Sequence, residues 1–321
     1  MHAVTQLRYG PADVLALRDV PTPAVRPGTV LVEVQATAIT QGDRRMRAAD
    51  FLGFTRLFGR LITGLFRPRH AIPGTVFAGR VAEVGAGVTR YAVGDAVFGC
   101  VMHGAHAQYL VVEADGPVGL MPEGMRFEDA AELPYSALTA WYFLNDLGHV
   151  QPGQRVLVLG ASGGVGRAAV QLARHLGAEV TGVCSRDHDL VRSLGAHHIL
   201  DHTTTDFAAT GQTWHVIFDT PGVSHFAHAR RALTPTGRYL TTLVSVRLLA
   251  RMAWSKLVGG QRGLSGVAMA SPALLADLRS LVDEGALRPV VDQVFPLARI
   301  ADAHRRLEAR PRGAVVVSLA A

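Results

Sequence analysis

The run from Arg155 to Gly177, RVLVLGASGGVGRAAVQLARHLG, constrains this chain more than any other stretch, because it carries a strand, a glycine turn and a helix in that order. Val156 to Leu159 form the continuous apolar run of a parallel strand buried on both faces. Beyond the turn, Ala168, Ala169, Leu172, Ala173 and Leu176 recur at helical spacing, and Gly177 stands where a left-handed cap would end the helix. The turn holds Gly160, Ala161, Ser162, Gly163, Gly164, Val165 and Gly166, with glycines where side chains would keep a pyrophosphate away from the backbone. Such a phosphate would face the first amides and the positive end of the helix dipole. Gly160, Ser162, Gly163, Gly164, Val165 and Gly166 are therefore cofactor-binding candidates, although Ala161 replaces the first glycine of the usual G-x-G-x-x-G pattern.

A parallel strand of this kind needs neighbours, and the residues from about Phe127 onward supply them by alternating helix and strand. Strands are expected at Glu179–Cys184, Ile199–Leu200, Val216–Asp219 and Arg238–Thr242, with a helix around Leu190 ended by Gly195. Asp187 or Asp189 is expected to cap that helix. The first 120 residues are punctuated differently. Short strands at Val30–Val34, Val76–Gly85 and Asp95–Gly99, with turns at Gly85, Gly87 and Gly94, suggest a small β-barrel. A helix is expected from Pro272 to Glu284. The closing apolar strand Ala314–Val317 is expected to return to the first unit, so that the nucleotide domain is an insertion.

Between Asp50 and His70 an amphipathic helix is expected, with Phe54, Leu57, Phe58, Leu61, Ile62 and Leu65 on one face and Arg56 and Arg60 off it. It is too short and too charged to span a bilayer. Its expected use is to cover a substrate pocket or to pack on a partner subunit, with attachment to a membrane surface as the minor alternative.

The 321 residues, 49% of them hydrophobic, are enough for two cored domains. A net charge of +6 raises the question of nucleic acid, yet the arginines are scattered, Lys256 is the only lysine, and no basic run with interleaved aromatics occurs. No nucleic-acid partner and no integral membrane segment is expected. Two cysteines, Cys100 and Cys184, exclude a disulfide framework and suit a reducing cytoplasm.

Several ordered motifs resemble the medium-chain dehydrogenase/reductase superfamily, specifically its zinc-free quinone oxidoreductase-like branch. They are Tyr9-Gly10-Pro11-Ala12-Asp13-Val14-Leu15, Val93 to Gly99, Gly104 to Tyr109, Leu133 to Ala140, the glycine turn, and Ser193-Leu194-Gly195-Ala196. The resemblance covers nearly the whole chain. It implies a GroES-like β-barrel catalytic domain at 1–122, completed by 263–321, and a Rossmann doubly wound parallel-sheet domain at 123–262. A cleft between the two and a homodimer are implied as well. Thr40 and Asp43 match the loop lining the nicotinamide end in relatives, and Tyr135 and Thr139 lie in the motif that meets the cofactor. Thr40, Asp43 and Tyr135 are the catalytic candidates. The family often has Asn-Pro where this chain has Thr40-Gln41.

An NAD site normally closes its second strand with an acid that accepts hydrogen bonds from the ribose and repels a 2′-phosphate. Here that end reads Val183-Cys184-Ser185-Arg186. The Ser185 hydroxyl and the Arg186 guanidinium suit a phosphate, so NADPH is the expected cofactor. His202 matches a position on the adenosine side in relatives. Asp219, closing the fourth strand of the alternating half, and Leu243, after the fifth, complete the cofactor-binding set.

Zinc enzymes of the superfamily use a Cys in the first third and a Gly-His-Glu motif. Thr40 stands at the first position and Gly74-Thr75-Val76-Phe77 replaces the second, so no metal is expected. Histidines 70, 103 and 106 lack ligand spacing. Met252, four residues before Lys256, excludes the Tyr-x-x-x-Lys of short-chain dehydrogenases. Without a metal, substrates must accept hydride readily, which points to quinones and α,β-unsaturated carbonyls. Two other readings stay open: a zinc-type alcohol dehydrogenase-like enzyme, and a catalytically silent NADPH-binding sensor or structural protein.

Overall fold

A computed structural model describes residues 1–51, 55–243, 252 and 259–319, with side chains for all of these except 55–58. In chain order the first part carries β1 (His2–Gln6), β2 (Leu15–Asp19), β3 (Thr29–Ile39), helices α1 (Gln41–Ala48) and α2 (Thr55–Thr63), then β4 (Val76–Val84), β5 (Ala96–Cys100), β6 (Tyr109–Glu113) and β7 (Val118–Leu120). Helix α3 (Phe127–Trp141) follows and runs on as a π-helical turn, Tyr142–Leu147. Next come β8 (Arg155–Leu159), α4 (Gly164–His175), β9 (Glu179–Val183), α5 (His188–Ser193), β10 (His198–Leu200), β11 (Trp214–Asp219), α6 (Phe226–Ala229), β12 (Leu233–Thr241) and β13 (Arg262–Leu264). The chain closes with α7 (Pro272–Asp283), β14 (Val291–Pro296), α8 (Ile300–Glu308) and β15 (Ala314–Ser318).

Two compact units result, Met1–Tyr135 with Met269–Ala321, and Ser136–Ala268. Both junctions lie further along the chain than the sequence boundaries after 122 and 262. The first falls within α3, one residue after Pro134.

In the first unit, strands run in the order β14-β15-β3-β4-β5-β7, with β6 branching off β3. β3 is the hub, since its alternating inward residues Val30, Val32 and Val34 are buried with Phe77, Val81 and Val97. β15 pairs antiparallel with β3 from Val315↔Ile39 to Ser318↔Ala36. Helix α8 covers this end, burying Ile300, Ala303 and Leu307 at helical spacing against Val315 and Val317.

The second unit is a six-stranded sheet in the order β10-β9-β8-β11-β12-β13, every pair parallel. Renumbered within the unit this is 3-2-1-4-5-6, the doubly wound arrangement. β8 sits at its centre with Val156, Leu157 and Val158 fully buried, as the apolar run requires. Gly177 adopts φ +77° and ends α4 as anticipated, its N–H donating to Arg174 O at 2.9 Å.

Two local expectations are corrected. Asp187 occupies the N-cap position of α5 but makes no side-chain capping bond, because its backbone is left-handed at φ 58° rather than extended. The amphipathic helix is also shorter than its pattern. α2 stops at Thr63 because Gly64 turns to φ +123°, where Tyr9 Oη donates to its carbonyl at 2.6 Å, so Leu65 leaves the helical face. Leu61 and Ile62 are half exposed or more. Phe54 and the side chains of Leu57 and Phe58 lie outside the described residues, as does most of the stretch Leu248 to Gly266. Among the described residues no helix is long and apolar enough to cross a membrane.

Candidate active site

The glycine turn leaves the end of β8 through Gly160, whose φ of +72° is open to glycine and strained for other residues. The N–H groups of Gly160 and Ala161 both reach Val183 O at 3.0 Å, and Gly163 N–H closes the turn on Gly160 O at 2.9 Å. Ala161 fits in place of a glycine because Gly182 faces it on β9. A Cβ on Gly182 would come within 3.1 Å of the Ala161 methyl. Gly166 packs the first turn of α4 on the loop so closely that a Cβ there would lie 2.0 Å from Gly160 O. The N-cap is Gly163, which has no side chain to satisfy the first helical N–H groups. Those amides and the dipole end are what a pyrophosphate needs. Arg167, buried in α4, donates to Ser162 O at 2.9 Å and fixes the turn from behind.

The cradle lies where the strand order reverses, between β8 and β11, at the carboxyl ends of both. Thr220 Oγ1 donates to Leu159 O at 2.9 Å, and Thr242 Oγ1 donates to Thr220 O at 3.0 Å, tying the three loops together. Asp219 is fully buried. Its carboxylate accepts from the N–H groups of Gly222 (3.0 Å), Val223 (3.2 Å) and Ser224 (2.7 Å) and from Tyr239 Oη (2.7 Å). It therefore shapes the loop after β11. Leu243 packs there too, 2.8 Å from where a Cβ of Gly222 would sit.

At the neighbouring strand ends, Ser185, Arg186 and His202 are exposed on the loops after β9 and β10. Cys184 N–H bonds Leu200 O at 3.1 Å and holds those loops side by side. Arg186 Nε lies 3.8 Å from Asp187 Oδ2. Asp201 is held below its ordinary value by hydrogen bonds from the Thr203 hydroxyl and N–H. Thr139, on α3, belongs to this second unit.

The first unit brings Thr40, Asp43 and Tyr135 together. Thr40 is the N-cap of α1 and Asp43 its third residue, and they form a reciprocal capping box. Thr40 Oγ1 accepts from Asp43 N–H at 3.0 Å and donates to Asp43 Oδ2 at 2.7 Å, while Thr40 N–H donates to the same oxygen at 2.8 Å. Thr75, which sequence reading marked only as a missing histidine, points its hydroxyl at Asp43 Oδ2 as well, at 3.2 Å. The other carboxylate oxygen, Oδ1, is buried without a hydrogen-bond partner. Gly42 lets Tyr135 lie against the same helix start: a Cβ on Gly42 would be 3.5 Å from the phenol oxygen and 3.2 Å from Thr40 Oγ1. Burial raises the Tyr135 pKa, and the nearby Asp43 charge adds to it, with Arg45 opposing. Burial likewise pushes the Cys100 thiol up to about 12, with Asp43 contributing.

At the two positions where the zinc pattern has Cys and His, the structure thus places hydroxyls that spend their protons on one carboxylate. Two hydroxyls and a single carboxylate fall short of the three thiolate, imidazole or carboxylate ligands a catalytic zinc takes. Among the described residues no group of three or more His, Cys, Asp and Glu side chains is arranged to hold a metal. His70 does stack on His103, with centroids 3.5 Å apart, while His106 lies edge-on to His304.

Comparison with known proteins matches residues 26–123 to the alcohol dehydrogenase GroES-like domain and residues 194–317 to the zinc-binding dehydrogenase family. The chain is 31% identical to human mitochondrial NAD(P)H oxidoreductase RTN4IP1, over 97% of this chain and 87% of that protein. It is 38% identical, over 78% of its length, to the pikromycin polyketide synthase component PikAII of Streptomyces venezuelae, but spans only 7% of that protein. Among solved structures, the quinone oxidoreductase from Coxiella burnetii superposes with a TM-score of 0.87 at 28% identity, covering 100% of this chain and 99% of that one. The CurK enoyl reductase gives 0.85 at 26% identity, covering 99% and 98%.

Proposed function

Because the chain belongs to the medium-chain dehydrogenase/reductase superfamily and is an oxidoreductase of that type, we propose that it is an NADPH-dependent reductase of quinones or α,β-unsaturated carbonyls that works without zinc. The observation that carries the metal-free reading is the convergence of Thr40 and Thr75 on Asp43 Oδ2. The likeness to a quinone oxidoreductase and an enoyl reductase supports the substrate class.

When bound, the reduced nicotinamide supplies a hydride. The open amides from Gly164 to Gly166 hold the pyrophosphate, with Gly160, Ser162 and Gly163 forming the turn that presents them. Ser185 and Arg186 hold the 2′-phosphate, with His202 beside them. Asp219 and Leu243 keep the loops after β11 and β12 in place, and Thr139 contributes from α3. At the reacting end, Tyr135 stays protonated through the neutral range and donates to the oxygen on which negative charge develops. Asp43 fixes the Thr40 hydroxyl and so orients the floor of that site. Substrates that spread the added charge onto oxygen need no stronger electrophile.

The test is NADPH consumption by chelator-treated enzyme with quinones, enones and simple alcohols, in the wild type and in Arg186→Ala. Consumption with the first two classes, and a KM for NADPH raised about tenfold or more in the variant, is expected. Oxidation of alcohols with one zinc per chain would point to the metal enzyme. Tight NADPH binding without turnover would point to a sensor or structural protein. A second reading, NADH, has one observation behind it, the Asp187 carboxylate next to Arg186. A lower KM for NADH than for NADPH would establish it.

A further inference from the structure

At the amino-terminal ends of β8, β11 and β12, away from the glycine turn along the same strands, the second unit has a concavity of about 380 Å³. Its lining includes Arg238, His215, His149, Thr234 and Thr236, and no carboxylate is among the residues that line it. Three features there are unexplained by folding alone.

Arg238 on β12 is in register with Arg262 on β13, so two guanidinium side chains start from directly opposed positions of a parallel pair. Like charges so placed repel. Arg155, which opens β8, stands at the same edge, and none of the three forms an ion pair among the described residues. Arg238 uses one donor on Gly148 O, but a guanidinium has five. Burial lowers the Arg238 pKa, and Arg262 lowers it further, the mark of a charge short of compensation.

The second feature is Thr234, whose hydroxyl is buried without a partner. A buried hydroxyl of that kind costs free energy until something accepts or donates to it. The third is the tautomer of His215. Its Nδ1 accepts from Arg155 N–H at 3.0 Å, so the neutral ring carries its proton on Nε2 and presents a donor. Donors of three kinds therefore meet at one acid-free hollow.

We propose that this concavity is a binding site for a phosphate group, either inorganic phosphate or the phosphate of a small monoester, distinct from the cofactor cradle. Guanidinium donors recognise such oxyanions in preference to singly charged halides. The anion offsets the repulsion between Arg238 and Arg262, and the Thr234 hydroxyl and His215 Nε2–H complete its shell. A ligand that binds the folded chain here stabilises it in proportion to its concentration.

The test is calorimetric titration of the full chain with sodium phosphate and with glycerol 3-phosphate, at constant ionic strength set by chloride. Wild type, Arg238→Gln, Thr234→Val and Arg186→Ala are compared, the last because the cofactor loop also attracts phosphate. Binding is expected in wild type, retained in Arg186→Ala, weakened about tenfold in Arg238→Gln and about threefold in Thr234→Val. Tighter binding of the ester than of phosphate identifies a monoester ligand, and equal or weaker binding identifies free phosphate. No phosphate binding above the chloride background, or full binding in Thr234→Val together with Arg238→Gln, overturns the proposal. Binding lost in Arg186→Ala alone assigns the phosphate to the cofactor loop and also overturns it. Should Arg238→Gln fail to fold, the near-isosteric Thr234→Val decides.

Discussion

The phenol of Tyr239 donates a 2.7 Å hydrogen bond to Oδ2 of Asp219, and both side chains are sealed from solvent. The bond joins the end of β11 to β12, and Oδ2 accepts from Ser224 N–H as well, while Oδ1 gathers the N–H groups of Gly222 and Val223. Tyr239→Phe is expected to cost about 1–3 kcal/mol of stability. Asp219→Asn is expected to cost more, because an amide NH₂ would oppose backbone donors. Denaturant unfolding of both variants, with hydrogen exchange at Gly222 to Ser224, checks the order. Equal stability of Tyr239→Phe and wild type would refute it.

Gly166 and Gly164 are two residues apart, yet they should respond differently to a methyl group. At Gly166 the methyl meets a backbone oxygen at 2.0 Å, whereas at Gly164 it meets only Ser136 Oγ at 3.1 Å. Gly166→Ala is therefore expected to lose about 2–4 kcal/mol and most cofactor affinity, and Gly164→Ala much less. Fluorescence titration with NADPH and thermal unfolding measure both effects.

This turn was legible in the sequence because its logic is local: strand, glycines and helix are contiguous, and Gly177 ends the helix within the same window. Asp43 was legible only as a position. Its meeting with Thr75 depends on β3 and β4 pairing, which brings together residues with no periodicity in common. Nor does any pattern announce that Asp219 gathers its own loop, since three of its partners are main-chain groups. The α2 stripe misled for the opposite reason, because its apolar spacing continues through Gly64 while the backbone does not.

Thr40 separates capping from chemistry. Thr40→Ser keeps the capping box and should behave as wild type, while Thr40→Val should lose about 0.5–2 kcal/mol. Tyr135→Phe should lower kcat with the KM for NADPH little changed, as expected of a donor acting on the reacting oxygen. Steady-state kinetics on the three variants distinguish the roles, and an unchanged kcat in Tyr135→Phe would remove the phenol from the mechanism.

Acid should destabilise the protein through His106 and His304. Both are buried, and burial holds their pKa values below the ordinary one, with His106 and Arg47 depressing His304 further and Asp43 partly opposing the shift at His106. The unfolded chain binds protons at these sites near pH 6.5 while the folded chain does not, so stability is full above that pH and falls below it. The slope approaches about 1.4 kcal/mol per pH unit for each histidine. Urea midpoints measured from pH 7.5 to pH 5 should decline less steeply in His304→Leu than in wild type.

β15 lies between β14 and β3 and pairs with the second half of the hub strand, Ala36 to Ile39, whereas the first half, Thr29 to Glu33, is paired by β6. During synthesis the inserted unit, whose strands are contiguous in sequence, has all its partners before β15 emerges. A ribosome paused ahead of residue 314 would therefore hold an inserted unit with all its strands made, and a first unit whose hub strand still lacks its partner from Ala36 to Ile39.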